Sequence, residues 1–105
     1  MKITLSYIAD AVKGELSPST DGKREICGFY SDSRSPSMDK AFLAIRGERV
    51  DGNSFVPALL EQGYCAITDR KDNLLLSGDC IYVSDVREAL QLLARHYRMN
   101  ELSNV

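Results

Sequence analysis

The alternation of short apolar runs with helix-period segments most limits the folds open to this chain. Ala41 to Ile45 is a continuous apolar run of strand length. After a charged turn, Phe55, Ala58, Leu59 and Gln62 recur with helical spacing, Gly63 ends that helix, and Tyr64 to Thr68 is a second strand-length run. Two such strands joined by a helix form a βαβ unit, a connection that suits parallel strands covered on both faces. Cys80 to Val83 reads as a further strand, and Ser84-Asp85 as the N-cap pair of a helix carrying Val86, Ala89, Leu90, Leu93, Ala94 and Tyr97. The pattern predicts an α/β fold, a small sheet of mostly parallel strands flanked by helices.

The segments before this unit are shorter. Leu5, Ile8, Ala9 and Val12 follow helical spacing, with Thr4 as N-cap and Gly14 as the C-terminal stop. Ser17 to Gly22 is dense in turn formers, and Ile26 to Tyr30 reads as one strand in which Gly28 marks a bulge or a close backbone approach. Asp69 to Asp79 is a polar excursion. Beyond Asn100 no turn chemistry closes the last helix, and Val105 reads as the first residue of another strand, so the chain is expected to continue.

At 105 residues, with 44% hydrophobic and 27% charged residues, the chain is expected to form one domain around one modest core. Thirteen basic against 15 acidic residues give a net charge of -2, which supplies no positive field for a nucleic acid. No stretch approaches the roughly 20 apolar residues of a membrane span. Cys27, Cys65 and Cys80 fit no zinc-ligand spacing and are odd in number for a disulfide framework. They read as reduced, buried thiols in or beside the sheet, and the expected location is the cytoplasm.

Chemistry-bearing residues are few. His96 is the single histidine and reads as a surface or satisfied helix residue, so neither a metal site nor a catalytic residue is predicted. The glycines form neither GxxxxGK[ST] nor GxGxxG, and Asp69 with Asp72 reads as a solvated pair of acids. Two loops that follow strands remain. Ser31 to Arg34 offers hydroxyls, a carboxylate and a guanidinium, and Arg46 to Gly52 offers two arginines and two glycines. Loops at the carboxyl ends of strands form the ligand crevice of open α/β sheets, and Arg34, Arg46 and Arg49 have the fork geometry for a diphosphate. Composition leaves open the alternative of ordinary polar loops with surface ion pairs such as Arg49 with Asp51.

Asp32-Ser33-Arg34, then Ala41-Phe42-Leu43-Ala44-Ile45-Arg46-Gly47-Glu48-Arg49-Val50-Asp51-Gly52 and Phe55, resembles the N-terminal domain of the Mur ligases, whose pattern is DSR followed by FVA(L/I)xGxxxDGxxF at the same distance. The resemblance covers essentially the whole chain. It implies that residues 1–105 are the domain that holds the UDP end of a UDP-N-acetylmuramoyl-peptide in a cytoplasmic enzyme of peptidoglycan synthesis. A central domain that binds ATP and magnesium and forms an acyl phosphate, and a C-terminal domain for the incoming amine, would lie outside this chain, the phosphate loop just after Val105. The chain itself would carry no cofactor and catalyse nothing alone.

Within the family, Ile3-Thr4-Leu5-Ser6-Tyr7-Ile8-Ala9 with Gly14-Glu15-Leu16, and the ending Leu93-Ala94-Arg95-His96-Tyr97-Arg98, resemble the members that add D-alanyl-D-alanine to UDP-N-acetylmuramoyl-tripeptide. The members that add the third peptide residue are one alternative. A non-enzymatic interaction module, in which the two loops recognise a protein, is the other. The resemblance implies uridine-diphosphate contacts at Ser31, Ser33, Arg34, Glu48, Arg49 and Val50, with Arg34 either touching ligand or bracing its loop through Asp32 or Asp51. Two departures bear on that site. Met38-Asp39-Lys40 replaces the usual Pro-Gly-Asp, which would put Asp39 in a conformation that favours glycine, and Asn53 stands where histidine is frequent.

Overall fold

The first helix starts where a side-chain oxygen replaces a missing backbone partner. In the computed structural model, which describes residues 2–102 with side chains as far as residue 95, Thr4 is extended and its hydroxyl accepts the Tyr7 N–H at 3.1 Å. Helix α1 (Leu5–Val12) buries Leu5, Ile8, Ala9 and Val12, the face that the spacing predicts. Its end differs from the expectation. Lys13, at φ 56, takes the left-handed position that closes the helix, in place of Gly14. Gly14 is small for another reason: a Cβ there would lie 2.9 Å from the Tyr82 carbonyl oxygen.

Among the described residues seven short strands follow one another: β1 (Ile3–Thr4), β2 (Glu15–Leu16), β3 (Glu25–Ile26), β4 (Gly28–Tyr30), β5 (Lys40–Leu43), β6 (Cys65–Thr68) and β7 (Cys80–Tyr82). Five of them form a sheet in the order β2-β7-β6-β5-β4, in which β4 to β7 are mutually parallel and β2 runs antiparallel on β7. The other two, β1 and β3, make a separate antiparallel pair. The run from Ile26 to Tyr30 is therefore two strands rather than one. It breaks at Cys27, whose N–H turns to the Asp39 carbonyl at 2.7 Å. The three atoms nearest a Cβ on Gly28 would all belong to the Lys40 side chain, from 3.7 Å outward, at ordinary van der Waals contact. Asp39 is also unstrained, because among the described non-glycine residues only Lys13 has a positive φ.

Strand alternation divides the core in two. Ala41, Leu43, Cys65, Ile67, Ile81 and Val83 pack with α1 and with α3 (Val86–Leu102) on one face. Phe42, Ala44, Ala66 and Cys80 pack with α2 (Val56–Glu61) on the other. The result is a three-layer α/β domain, as the strand and helix pattern predicts. Of the four residues read onto one face of this helix, only Leu59 is buried. Val56, Leu59 and Leu60 face the sheet, while Phe55, Ala58 and Gln62 are exposed; Phe55 lies in a 3-10 turn (Gly52–Phe55) before α2 begins, so the helix starts one residue later than the spacing from Phe55 assumes. Asp85 caps α3 through the N–H groups of Arg87 and Glu88, at 2.9 and 3.1 Å. Val86, Ala89 and Leu93 of α3 are buried, Leu90 is half-buried and Ala94 is exposed. The side chains of His96 and Tyr97, and all of Val105, lie outside the described residues. Among the described residues no helix is long and apolar enough to cross a membrane.

All three cysteines are free, but the expectation of burial fails for Cys27, which is exposed because it occupies the break between β3 and β4. Cys65 and Cys80 are buried in the sheet, and desolvation pushes their thiols up to about 11 and about 12. A thiol that high carries almost no thiolate at pH 8 and reacts slowly. Alkylation of the folded chain at pH 8 should therefore modify Cys27 promptly and leave Cys65 and Cys80 until denaturant is added. Modification of a second thiol at the rate of Cys27, read by peptide mass, contradicts this packing.

Candidate functional site

Four consecutive parallel strands send the segments after β4, β5, β6 and β7 out of the same sheet edge. The carboxyl edge of such a sheet is where ligands bind in open α/β folds. Both loops singled out in the sequence leave from it, Ser31 to Arg34 after β4 and Arg46 to Gly52 after β5. Among the described residues no hydrogen bond or ion pair joins the one loop to the other.

The first loop is built on Asp32. Its Oδ1 accepts the Arg34 backbone N–H at 2.9 Å and the Arg34 Nε at 3.0 Å, and its Oδ2 accepts the other branch of the guanidinium at 3.0 Å. The Ser35 N–H closes the turn on the Asp32 carbonyl at 3.2 Å. This Asx-turn with a forked ion pair follows from an aspartate two residues before an arginine in a loop free of other partners. The guanidinium, and then the backbone N–H, hold the Asp32 carboxyl down at about 2. Both side chains remain largely in solvent, with Arg34 89% exposed. Ser31 is exposed and Ser33 half-buried beside them.

The second loop is a small closed turn. Arg46 and Asp51 form an isolated antiparallel bridge, the Gly47 N–H donates to the Val50 carbonyl at 2.9 Å, and the Gly52 N–H returns to the Ile45 carbonyl at 2.9 Å. Gly52 has to be glycine, because a Cβ would lie 2.8 Å from the Ile45 nitrogen and 2.9 Å from its oxygen. Glu48, Arg49 and Val50 are thereby held at the tip, all exposed. The surface pair suggested for Arg49 with Asp51 does not form. Asp51 faces Arg70 at 3.5 Å and caps the next 3-10 turn through the Asn53 N–H at 2.9 Å, which holds its carboxyl below the usual range.

Behind this turn lies a polar network that the sequence reading missed. Asn53 is 2% exposed and Thr68 wholly buried. The Asn53 Nδ2 donates to Asp51 Oδ1 at 3.0 Å and to Asp69 Oδ1 at 2.7 Å, and its Oδ1 accepts the Thr68 hydroxyl. The same hydroxyl oxygen accepts the Arg70 N–H at 3.0 Å and the Asn73 Nδ2 at 2.9 Å. Burying an amide and a hydroxyl without partners costs about 1–3 kcal/mol each, and here every N–H and the hydroxyl proton are used. Two carboxylates on the Asn53 nitrogen leave only one orientation for the amide. Asp69 is thus not a solvated acid: it is 17% exposed and also receives the Arg46 Nε at 3.1 Å. The signal available in the sequence was a polar residue at the edge of each apolar segment, Thr68 at the end of its strand run and Asn53 between Gly52 and Phe55.

A cavity of about 200 Å³ opens next to this network, lined by Ala44, Ile45, Arg46 and Asp69 on one side and by Ser84 to Arg87 on the other. Of the three arginines read as phosphate ligands, only Arg46 lines it, and none of Ser31, Ser33, Arg34, Glu48, Arg49 or Val50 does. Arg34 and Arg46 are each held by a carboxylate, whereas Arg49 has no such partner among the described residues.

The profile described as "Mur ligase family, catalytic domain" matches residues 25–98. The UDP-N-acetylmuramoyl-tripeptide--D-alanyl-D-alanine ligase of Bacillus subtilis (strain 168) is 36% identical over 99 residues, covering 92% of this chain and 22% of that protein. The UDP-N-acetylmuramoyl-L-alanyl-D-glutamate--2,6-diaminopimelate ligase of Rickettsia felis is 38% identical over 69 residues, 65% of this chain and 13% of that protein. A crystal structure of MurF from Acinetobacter baumannii superposes with a TM-score of 0.81 at 29% identity, covering 95% of this chain and 22% of that one. The chain thus spans about a fifth of the first relative and of the solved structure. On the match of its sequence and the agreement of its fold, the chain belongs to the Mur ligase family and has the fold of that family's N-terminal domain.

Proposed function

We propose that this chain is the uridine-diphosphate-holding part of a cytoplasmic MurF-type ligase, an enzyme that adds D-alanyl-D-alanine to UDP-N-acetylmuramoyl-tripeptide at the expense of ATP. The observation that carries the choice of branch is extent. The match to the D-alanyl-D-alanine ligase of B. subtilis takes in 92% of the chain, whereas those to the diaminopimelate ligases of R. felis and Brucella melitensis take in 65% and 83%. The second reading, a ligase that adds the third peptide residue, is favoured by the slightly higher identity of the shorter R. felis match.

In this proposal the nucleotide lies across the carboxyl edge between the two loops. Ser31 and Ser33 offer hydroxyls to the uracil or ribose, and the tip at Glu48, Arg49 and Val50 meets the ribose and diphosphate. Arg49 is the phosphate ligand, since its guanidinium is exposed and uncommitted among the described residues while Arg34 and Arg46 are held by Asp32 and Asp69. Arg34 acts on the ligand through the shape of its loop. ATP and magnesium belong to other parts of the ligase in this reading, since the sequence of this chain carries no phosphate-loop motif. The peptide end of the substrate and the amine would likewise be held by domains in cis.

Binding of UDP to the chain alone should be weak, with a dissociation constant on the order of millimolar, because part of the contact surface is absent while association entropy is still lost. Titrations followed by amide shifts should move Ser33 and Arg49 first. Arg49→Ala should weaken UDP about tenfold and leave uridine unchanged, as expected for one charged hydrogen-bonding partner. Shifts confined to Asp69 to Asp79, or none at high millimolar UDP, contradict the assignment and favour a protein-binding module.

The bracing role of Arg34 has its own signature. A carboxylate whose pKa is depressed on folding contributes order above its unfolded value of about 4 and loses it as pH falls through the folded value. The Asp32 carboxyl should titrate near 2 with the Arg34 amide following it, and Arg34→Ala should return the midpoint towards 4. An Asp32 midpoint already near 4 in the unaltered chain shows that the fork does not form in solution.

A further inference from the structure

We infer that Asn53 is the positioning residue of the candidate nucleotide turn: one buried amide holds both ends of the segment that presents Glu48, Arg49 and Val50. The turn begins at Arg46 and ends at Asp51, which face each other in a two-residue bridge. Asn53 holds the end of the turn directly, through Asp51 Oδ1 at 3.0 Å. It holds the beginning through Asp69, whose Oδ1 takes the Asn53 Nδ2 at 2.7 Å and whose Oδ2 takes the Arg46 Nε at 3.1 Å. Thr68, at the end of β6, fixes the amide from behind and is itself tied to Arg70 and Asn73. The turn after β5 is therefore registered against the segment after β6 by a residue that is 2% exposed and belongs to neither tip.

The chemistry of the amide also sets the charge of the turn. Asn53 is neutral and donates to two carboxylates, each of which is also paired with an arginine, Asp69 with Arg46 and Asp51 with Arg70. The network is internally balanced, and the guanidinium it leaves uncommitted at the tip is Arg49. A carboxylate in place of the amide would put three acids around one point and remove both donors, so Asn53→Asp changes almost no volume and reverses the interaction. This inference rests on the nucleotide reading for its functional meaning, but the registration of the turn is measurable without any ligand.

The test compares Asn53→Asp with Ile8→Ala, a core truncation on the other face of the sheet, in the 105-residue chain below its melting temperature. Amide hydrogen exchange should rise at Gly47 and Gly52, the two N–H groups that close the turn, by about tenfold more than at the sheet amides in Asn53→Asp. Ile8→Ala should raise exchange across the sheet without that local excess. UDP affinity of the folded fraction should fall about tenfold in Asn53→Asp and stay unchanged in Ile8→Ala. Thr68→Val, which leaves the carboxylate contacts in place and removes the group behind the amide, should give the same local pattern more weakly and serves if Asn53→Asp does not fold. Equal rises at Gly47, Gly52 and the sheet amides overturn the positioning role. A local rise in a chain that binds no UDP supports the positioning role and overturns the nucleotide reading instead.

Discussion

Three parallel strand pairings decide where everything else in this molecule goes: Phe29 opposite Ala41, Ala41 opposite Cys65, and Ala66 opposite Cys80. Parallel strands need crossovers, and crossovers place helices on both faces, so the strands must be apolar on both. That is why β5 and β6 are buried along nearly their whole length. The same direction of travel brings the carboxyl ends of β4 to β7 to one edge, where backbone groups are no longer committed to the ladder. The polar loops are gathered there because the pairings leave them no other place.

What the edge can bind depends on how its charges are already spent. Three arginines at this edge meet carboxylates: Arg34 with Asp32, Arg46 with Asp69 and Arg70 with Asp51. Exposed pairs of this kind contribute little to stability. Their effect is one of shape: the forked Arg34 guanidinium fixes its own loop, and Arg46 and Arg70, through one nitrogen each, tie the turn to the segment after β6. The buried amide of Asn53 adds what the surface pairs lack, a desolvated point at which alternative partners are costly. A site of this construction is rigid behind and open in front, which suits a ligand whose polar groups arrive together with its charge.

Much of the architecture was legible because it rests on local chemistry. The Thr4 and Asp85 caps, the βαβ unit between Ala41 and Thr68, and the helix face of Leu5, Ile8, Ala9 and Val12 follow from spacing and side-chain type alone. The failures have local causes as well. Phe55 was read into the helical phase of α2, yet it lies in the 3-10 turn that Asp51 caps, before α2 begins. Cys27 was read as an interior strand residue, yet its N–H is drawn to Asp39 and the strand breaks there. The Asn53 network was not legible, because its members, Asp51, Asn53, Thr68, Asp69 and Asn73, come from two strand ends whose adjacency is a product of the sheet. For the candidate site the sequence supplied the two loops and the residues at their tips, and the fold supplied the residues that hold one of them.

The central claim is that a nucleotide diphosphate lies between the loop after β4 and the turn after β5. Intermolecular nuclear Overhauser effects in the complex of this chain with UDP test it most directly, because they locate the base without any change to the protein. The account predicts contacts from the uracil ring protons to Ser31 or Ser33 and from the ribose protons to residues 48–50. Uracil contacts confined to residues 71–79, or to the far edge of the sheet at Lys2 and Asp39, would contradict it.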